Sequence, residues 1–456
     1  MKSKSNFVFV GVILLMILSY NSQANDIAGR KELVLSGNDW IVTPFEPGQG
    51  EKAKAFAEKY QFTDFSTAFV PGDVHWDMER AGKIPYLYYG MNSKEAGWVI
   101  GKEWWYQKKF DIDKKWQQKS IRLRFEAVDY LADVWLNGNY LGKHEGQFTP
   151  FEFEVDNYLH FNKANVLTVM IHPAPIEVQK IITANVHEWQ VMNVMRPAYP
   201  YWKSMTSSGW DWGCDLLSMG IWQDVSLIAS NGVYLSNVTV LPDVDAPFDK
   251  ATLRIRINTI SQKTRKVELV CNVRCITAND SPAIKKQQIT LQTAQQTAEI
   301  DMKVLKPNLW WPNGYGQQHL YELTVTANDP ITNTPLDQAT TRFGIRKLKI
   351  LENPNSPEYK MYRDWADGPK TTHVSAETPS RRYLMEINGR RIYGKGSNWI
   401  PCDMLFGRAD KNRYEHLIRL ANQANINLFR IWGGGLLEKQ VFFDLCEDMK
   451  RGHPQV

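Results

Sequence analysis

Apolar and polar positions alternate along much of the chain, and the period changes once. Period-two runs occur at residues 106–112, 121–127, 132–136, 151–155 (FEFEV) and 166–171. That period puts successive side chains on opposite faces of a strand. Asn137-Gly138 sits between two apolar runs, a strong signal for a two-residue hairpin turn. The block closes at 220–227 (GIWQDVSL), and it predicts an antiparallel jelly-roll sandwich over residues 25–231. Short strands at 252–257, 266–277 and 321–327 predict a second, immunoglobulin-like sandwich over 232–349. Residues 353–382 are polar and carry Pro354, Pro357, Pro369 and Pro379, so 350–382 reads as an insertion or linker.

The period then shifts. Residues 392–400 read as a strand followed by a turn, and Tyr414, Leu417, Ile418 and Ala421 mark one face of a helix. Residues 426–432 (INLFRIW) form an apolar strand interrupted by Asn427 and Arg430. Leu437, Val441, Leu445 and Met449 mark a second helix. Strand, helix, strand, helix predicts a parallel α/β region over 383–456. Two such units cannot close a barrel, which takes eight.

Composition narrows the class. A chain of 456 residues with 43% hydrophobic and 23% charged residues is globular and long enough for about three domains. Two lysines precede an apolar run from Phe7 to Leu18, and Ser22-Gln23-Ala24 follows. This is the pattern of a signal peptide cut after Ala24, which predicts a secreted or periplasmic protein with no membrane span once the leader is removed. The formal charge of +5 includes Lys2 and Lys4; without them it is +3, too small to indicate nucleic acid as a partner. Five cysteines leave at least one unpaired. Cys271 and Cys275 lie four residues apart on a predicted strand, roughly 13 Å, too far for a disulfide. No CxxC pair suggests zinc, and no GxGxxG or GK[ST] accompanies Gly433-Gly434-Gly435, so neither a metal nor a cofactor is expected. Asn237-Val238-Thr239 fits a glycosylation sequon.

The chemistry concentrates in two stretches. Residues 207–215 (SSGWDWGCD) place Asp211 between Trp210 and Trp212 with glycines on either side. An apolar face beside a carboxylate suits a sugar, which has C–H faces and hydroxyls; a packed sandwich corner would use the same residues. Near the end of the second apolar strand stand Arg430 and Trp432. Arg430, inside an apolar strand, reads as buried, and a buried arginine needs a partner; Trp432 shares its strand face at the end where α/β active sites form. Asn398, Trp399 and Asp403 close the first strand of this region and are weaker candidates.

Six strings occur in order: GWDWG from Gly209, GIWQDVSL from Gly220, WWPNGYGQQHLYEL from Trp310, FGIRKL from Phe343, NGRRIYGKGSNWIPCD from Asn388 and NLFRIWGGGLLE from Asn427. Together they resemble glycoside hydrolase family 2 and, within it, the β-mannosidases. The resemblance implies a sugar-binding jelly roll, an immunoglobulin-like sandwich and a (β/α)8 TIM barrel of which this chain holds the first two units. It implies retaining hydrolysis of terminal non-reducing β-D-mannose, with two carboxylates roughly 5–5.5 Å apart. It assigns Asp211 to sugar hydroxyls with Trp210 as its neighbour, and Arg430 to the nucleophile carboxylate; Trp432, on the strand face of Arg430, is placed for its ring to pack on the sugar's C–H face, and Asn398 is a weaker candidate at the end of the first barrel strand. No Asn-Glu pair follows Gly435, and the chain closes on the polar DMKRGHPQV. Both catalytic glutamates are therefore expected beyond Val456, as in a truncated member. Cys214 stands where the family commonly has proline, and Ser397 and Cys402 where it commonly has alanine. The competing expectations are a secreted, non-catalytic carbohydrate-binding protein and another family 2 exo-glycosidase, a β-glucosaminidase or β-galactosidase.

Overall fold

The computed structural model describes residues 25–174, 203–206, 210, 213–214, 216–352 and 383–447. The leader, Asp211, Trp212, Met449 and the insertion 353–382 lie outside the described residues.

The first unit is built from β1 (Asn25–Ile27), β2 (Arg30–Val34), β3 (Gly37–Phe45), β4 (Ser66–Val70), β5 (Glu103–Phe110), β6 (Ser120–Phe125), β7 (Leu131–Leu136), β8 (Asn139–Glu145), β9 (Phe151–Glu154), β10 (Asn165–Ile171) and β11 (Val225–Ser230). They form two antiparallel sheets, ordered β1-β2-β11-β6-β9 and β4-β3-β5-β10-β7-β8. Trp40, Trp104, Tyr106, Phe125 and Leu227 fill the space between them. The predicted turn is present: Asn137 (φ 51°) and Gly138 (φ 80°) join β7 to β8, both in the left-handed region that a type I′ hairpin turn requires.

One strand start differs from the pattern. β5 starts at Glu103 rather than Tyr106, because both its faces are covered and alternation is lost. Trp104 faces the sandwich core, while Trp105 packs with Ala55, Phe62 and Trp135 under the segment 49–62. Gly50 allows that cover: a Cβ there would stand 2.1 Å from the Trp105 indole nitrogen. Within the closing stretch 220–227, the strand starts at Val225, and Gly220 makes an isolated bridge to Asp129.

The second unit comprises β12 (Val233–Val244), β13 (Lys250–Ser261), β14 (Arg265–Cys275), β15 (Ala283–Leu291), β16 (Ala294–Leu305), β17 (Tyr321–Asn328) and β18 (Pro335–Phe343). Sheets β12-β13-β16 and β15-β14-β17-β18 enclose Ile255, Ile257, Leu269, Cys271, Leu323 and Val325. These seven antiparallel strands in two sheets form a β-sandwich. All five cysteines are free, and Cys271 and Cys275 are both buried on β14. Asn237 of the sequon is exposed on β12.

A meander follows, made of β19 (Leu348–Glu352), β20 (Tyr383–Ile387) and β21 (Arg390–Ile392). Then β22 (Gly396–Trp399) pairs in parallel with β23 (Leu428–Ile431). The helix Lys411–Gln423 connects them, capped by the Asp410 carboxylate, which accepts from Arg413 N at 2.9 Å. Tyr414, Ile418 and Ala421 are its buried positions, on the expected face. The second helix is Gln440–Glu447, and its buried residue is Phe442. Leu437 was expected on that face. It precedes the helix and is 59% exposed, so the inward stripe centres on Phe442, which packs on Trp399 and Phe429.

The units are joined by specific polar contacts. Arg30 of β2 meets Asp337 of β18 at 2.6 Å, and the same carboxylate accepts from Leu235 N at 2.6 Å. Arg342 pairs with Asp444 at 2.7 Å, and Asn313 Nδ2 donates to Ile426 O at 3.2 Å. Gly407 lies against Gly72 so closely that a Cβ on Gly407 would be 2.1 Å from Gly72 O. Trp222, Ala127, Phe406 and Leu436 form an apolar cluster across the same seam.

Candidate functional site

Parallel strands point their C-terminal ends one way, and the loops that follow them form the mouth of a site. Here those loops start after Trp399 of β22 and Ile431 of β23. A strap from the first unit crosses this end. Met205 N donates to Gly434 O at 2.9 Å, and Ser204 Oγ donates to the same carbonyl at 3.2 Å. Trp210, from the strap, meets Trp432 at a ring-centroid separation of 5.0 Å and an interplanar angle of 55°. Such aromatic pairs contribute about 0.5–1.5 kcal/mol beyond burial. Both rings are half-buried. On β22 and β23, Asn398 and Arg430 are register partners, and Arg430 Nη1 donates to Asn398 Oδ1 at 3.2 Å.

The strap is moored by a buried polar network. The Lys203 ammonium, 7% exposed, donates to Asp129 Oδ1 and to Ser218 O, the latter at 2.5 Å. The other Asp129 oxygen accepts from Ser218 Oγ at 2.7 Å and Gln147 Nε2 at 2.9 Å. Gln147 Oε1 in turn accepts from Ser204 N at 2.7 Å. Burial pushes the Asp129 carboxyl above its ordinary range, while Lys203 and Ser218 pull against that rise. The network was not read from the sequence. An aspartate inside EAVDYLADVW and a lysine inside PYWKSM were its visible signals.

The triple glycine has a steric reason. A Cβ on Gly434 would stand 2.5 Å from the Trp432 ring and 2.9 Å from the Met205 methyl, so the strap and the indole can close on it only as glycine. Gly435 N donates to Trp432 O at 2.9 Å and tightens the turn.

Trp210, Asn398, Arg430 and Trp432 thus reach the same end of the β/α region; Asp211 lies outside the described residues. Three expectations change. Arg430 was read as buried, and it is exposed, because the face of β23 that carries Leu428 and Arg430 is open while Phe429 and Ile431 pack inward. Trp399 is core rather than a ligand wall: it is 7% exposed and its Nε1 donates to Glu438 Oε1 at 3.0 Å. Asp403 is clamped by Arg408, at 2.8 and 3.1 Å, and accepts from Tyr88 OH at 2.8 Å. Glu438 also accepts from Tyr414 OH at 2.7 Å, and burial raises its carboxyl pKa against those two hydrogen bonds. The two carboxylates described here are structural; each is committed to neighbouring side chains.

Comparison with known proteins fixes the class. Residues 52–223 match the glycosyl hydrolase 2 galactose-binding domain-like family, and residues 233–346 match glycosyl hydrolases family 2. By these domains the chain belongs to glycoside hydrolase family 2. Its relatives include β-mannosidase B of Thermothelomyces thermophilus, 27% identical over 83% of this chain and 41% of that protein. The β-mannosidase of Capra hircus is 27% identical over 84% of this chain and 42% of its own length. Among solved structures, the β-D-mannosidase of Dictyoglomus thermophilum superposes with a TM-score of 0.73 at 28% identity, over 92% of this chain and 46% of that one. The Amycolatopsis orientalis exo-chitosanase shares the fold, with a TM-score of 0.68 at 19% identity over 91% of this chain and 42% of that one. The chain spans about two fifths of the length of the curated relatives it matches.

Proposed function

We propose that this chain forms the substrate-recognition part of a β-mannosidase-type family 2 exo-glycosidase, acting on terminal non-reducing β-D-mannose. The observation that carries this reading is the meeting of Trp210, from the first sandwich, with Trp432, at the end of β23. Two indoles tilted at 55° across a mouth floored by Asn398 and Arg430 offer an apolar wall beside hydrogen-bonding groups. Asp211 adds hydroxyl acceptors next to Trp210, and β22 and β23 begin a (β/α)8 barrel. The jelly-roll unit is 25–231, the immunoglobulin-like unit 232–349, and the protein acts in the periplasm or outside the cell after cleavage at Ala24.

Retaining hydrolysis needs an acid/base and a nucleophile facing one another across the bond. Among the described residues of the β/α region, Asp403 and Glu438 are both tied into side-chain clamps, which supports a second reading, a secreted β-sandwich protein that binds carbohydrate without catalysis. Incubation with p-nitrophenyl β-D-mannoside tests this. Saturable binding that Asp211→Ala abolishes, without release of nitrophenol, is expected. Turnover that Asp211→Ala removes would replace the binding-only reading with catalysis. Binding that ignores Asp211→Ala would overturn both.

A further inference from the structure

The loop that begins at Ile84 leaves unusually large rings in solvent. Tyr86 is 56% exposed, Tyr89 75% and Met91 60%. The loop itself is firmly held. Tyr89 N donates to Tyr86 O at 3.3 Å, Asn92 Nδ2 donates to Tyr86 O at 2.8 Å, and Asn92 N donates to Tyr89 O at 3.2 Å. Tyr86 stacks edge-on against Tyr88, with ring centroids 6.0 Å apart. Tyr88 ties this loop to the candidate site: its hydroxyl donates to Asp403 at 2.8 Å, and the Arg408 guanidinium lies 4.8 Å over its ring. Asp403 is in the loop that follows β22, so Tyr88 and, through its ring, Tyr86 are anchored to a loop of that mouth. The space around them is open. A Cβ at Gly90 would meet nothing within 4 Å, and neither would one at Gly97 or Gly101.

A folded loop that presents ordered aromatic rings to water has surface to cover. Tyrosine offers an apolar face for the C–H side of a pyranose and a hydroxyl for its polar edge. The anchoring of this loop through Asp403 to the loop after β22 is what links it to a saccharide held at Trp210 and Trp432. We propose that Tyr86 and Tyr89, with Met91 beside them, form a platform for the second and third sugars of a β-linked manno-oligosaccharide. This proposal rests on the reading given under Proposed function.

The test is calorimetric titration of the full chain, and of its Tyr86→Ala and Tyr89→Ala variants, with methyl β-D-mannoside and with β-1,4-mannotriose. Mannotriose is expected to bind more tightly than the monosaccharide. Each variant should weaken mannotriose binding about two- to tenfold, the value of one lost ring stack, and leave methyl β-D-mannoside unchanged. The unchanged monosaccharide affinity separates a lost platform from a misfolded protein. Mannotriose binding that neither substitution alters, with the monosaccharide still bound, would overturn the platform and leave the proposed function standing. If neither ligand binds, the proposed function fails and the platform fails with it.

Discussion

Replacing Lys203 with methionine would remove the one cation that the described structure places against the buried Asp129 carboxylate. Both side chains are almost fully enclosed, 2% and 1% exposed. Deleting one partner of a buried ion pair costs about 3–5 kcal/mol, because the other charge is left in a medium that cannot solvate it. Ser218 and Gln147 still donate to Asp129, which places the loss nearer the lower figure. That loss corresponds to a fall in Tm of about 6–12 °C for a unit of this size. The sign with pH follows from linkage. Without the ammonium, the folded pKa of Asp129 rises further above its unfolded value. The variant then binds more protons folded than unfolded, and it loses stability as pH rises through the folded pKa. The penalty relative to the parent chain should therefore be smaller at about pH 5 than at about pH 8. Scanning calorimetry across that range measures it. A double variant, Asp129→Asn with Lys203→Met, should recover part of the loss, because it removes the stranded charge. A Lys203→Met penalty below about 1 kcal/mol, or one that grows in acid, would refute the reasoning.

Two further outcomes follow from the β/α region. Glu438→Gln removes a buried carboxyl whose pKa burial has raised; such a group loses stability as pH rises from the ordinary carboxylate range through its folded value. The Tm advantage of the parent over Glu438→Gln should therefore narrow with rising pH, and an advantage that widens would contradict the geometry around Trp399 and Tyr414. Gly407→Ala forces a methyl group against Gly72 O, and it should cost about 1–3 kcal/mol and expose the seam to protease. Gly97→Ala, in open space, serves as the control, and equal protease resistance in the two variants would show that the seam is not tight.

Much of this was legible in the chain, and what was not has physical causes. Period-two patterning placed the strands whose two faces differ, such as β13 and β17, and Asn137-Gly138 marked its hairpin because both positions need positive φ. The start of β5 was misplaced because sheet and covering segment bury both of its faces. A one-dimensional pattern shows that a strand is apolar and does not show which of its faces is covered. Arg430 was therefore read as buried, although only the Phe429 and Ile431 side packs. Trp399 looked like a possible ligand and proved to be core, since its partner Glu438 stands 39 residues away. Trp210 and Trp432 were picked out separately, but they stand 222 positions apart, and a local pattern carries no sign that their rings meet.

The most direct test of the central claim is calorimetric titration of methyl β-D-mannoside into the parent chain and into Trp432→Ala. Saturable one-site binding to the parent is expected, and binding about tenfold weaker or lost in the variant, which still unfolds in a single thermal transition at a somewhat lower temperature because the Trp210 contact is gone. No binding to the parent, or equal affinity in the two proteins, would contradict the claim.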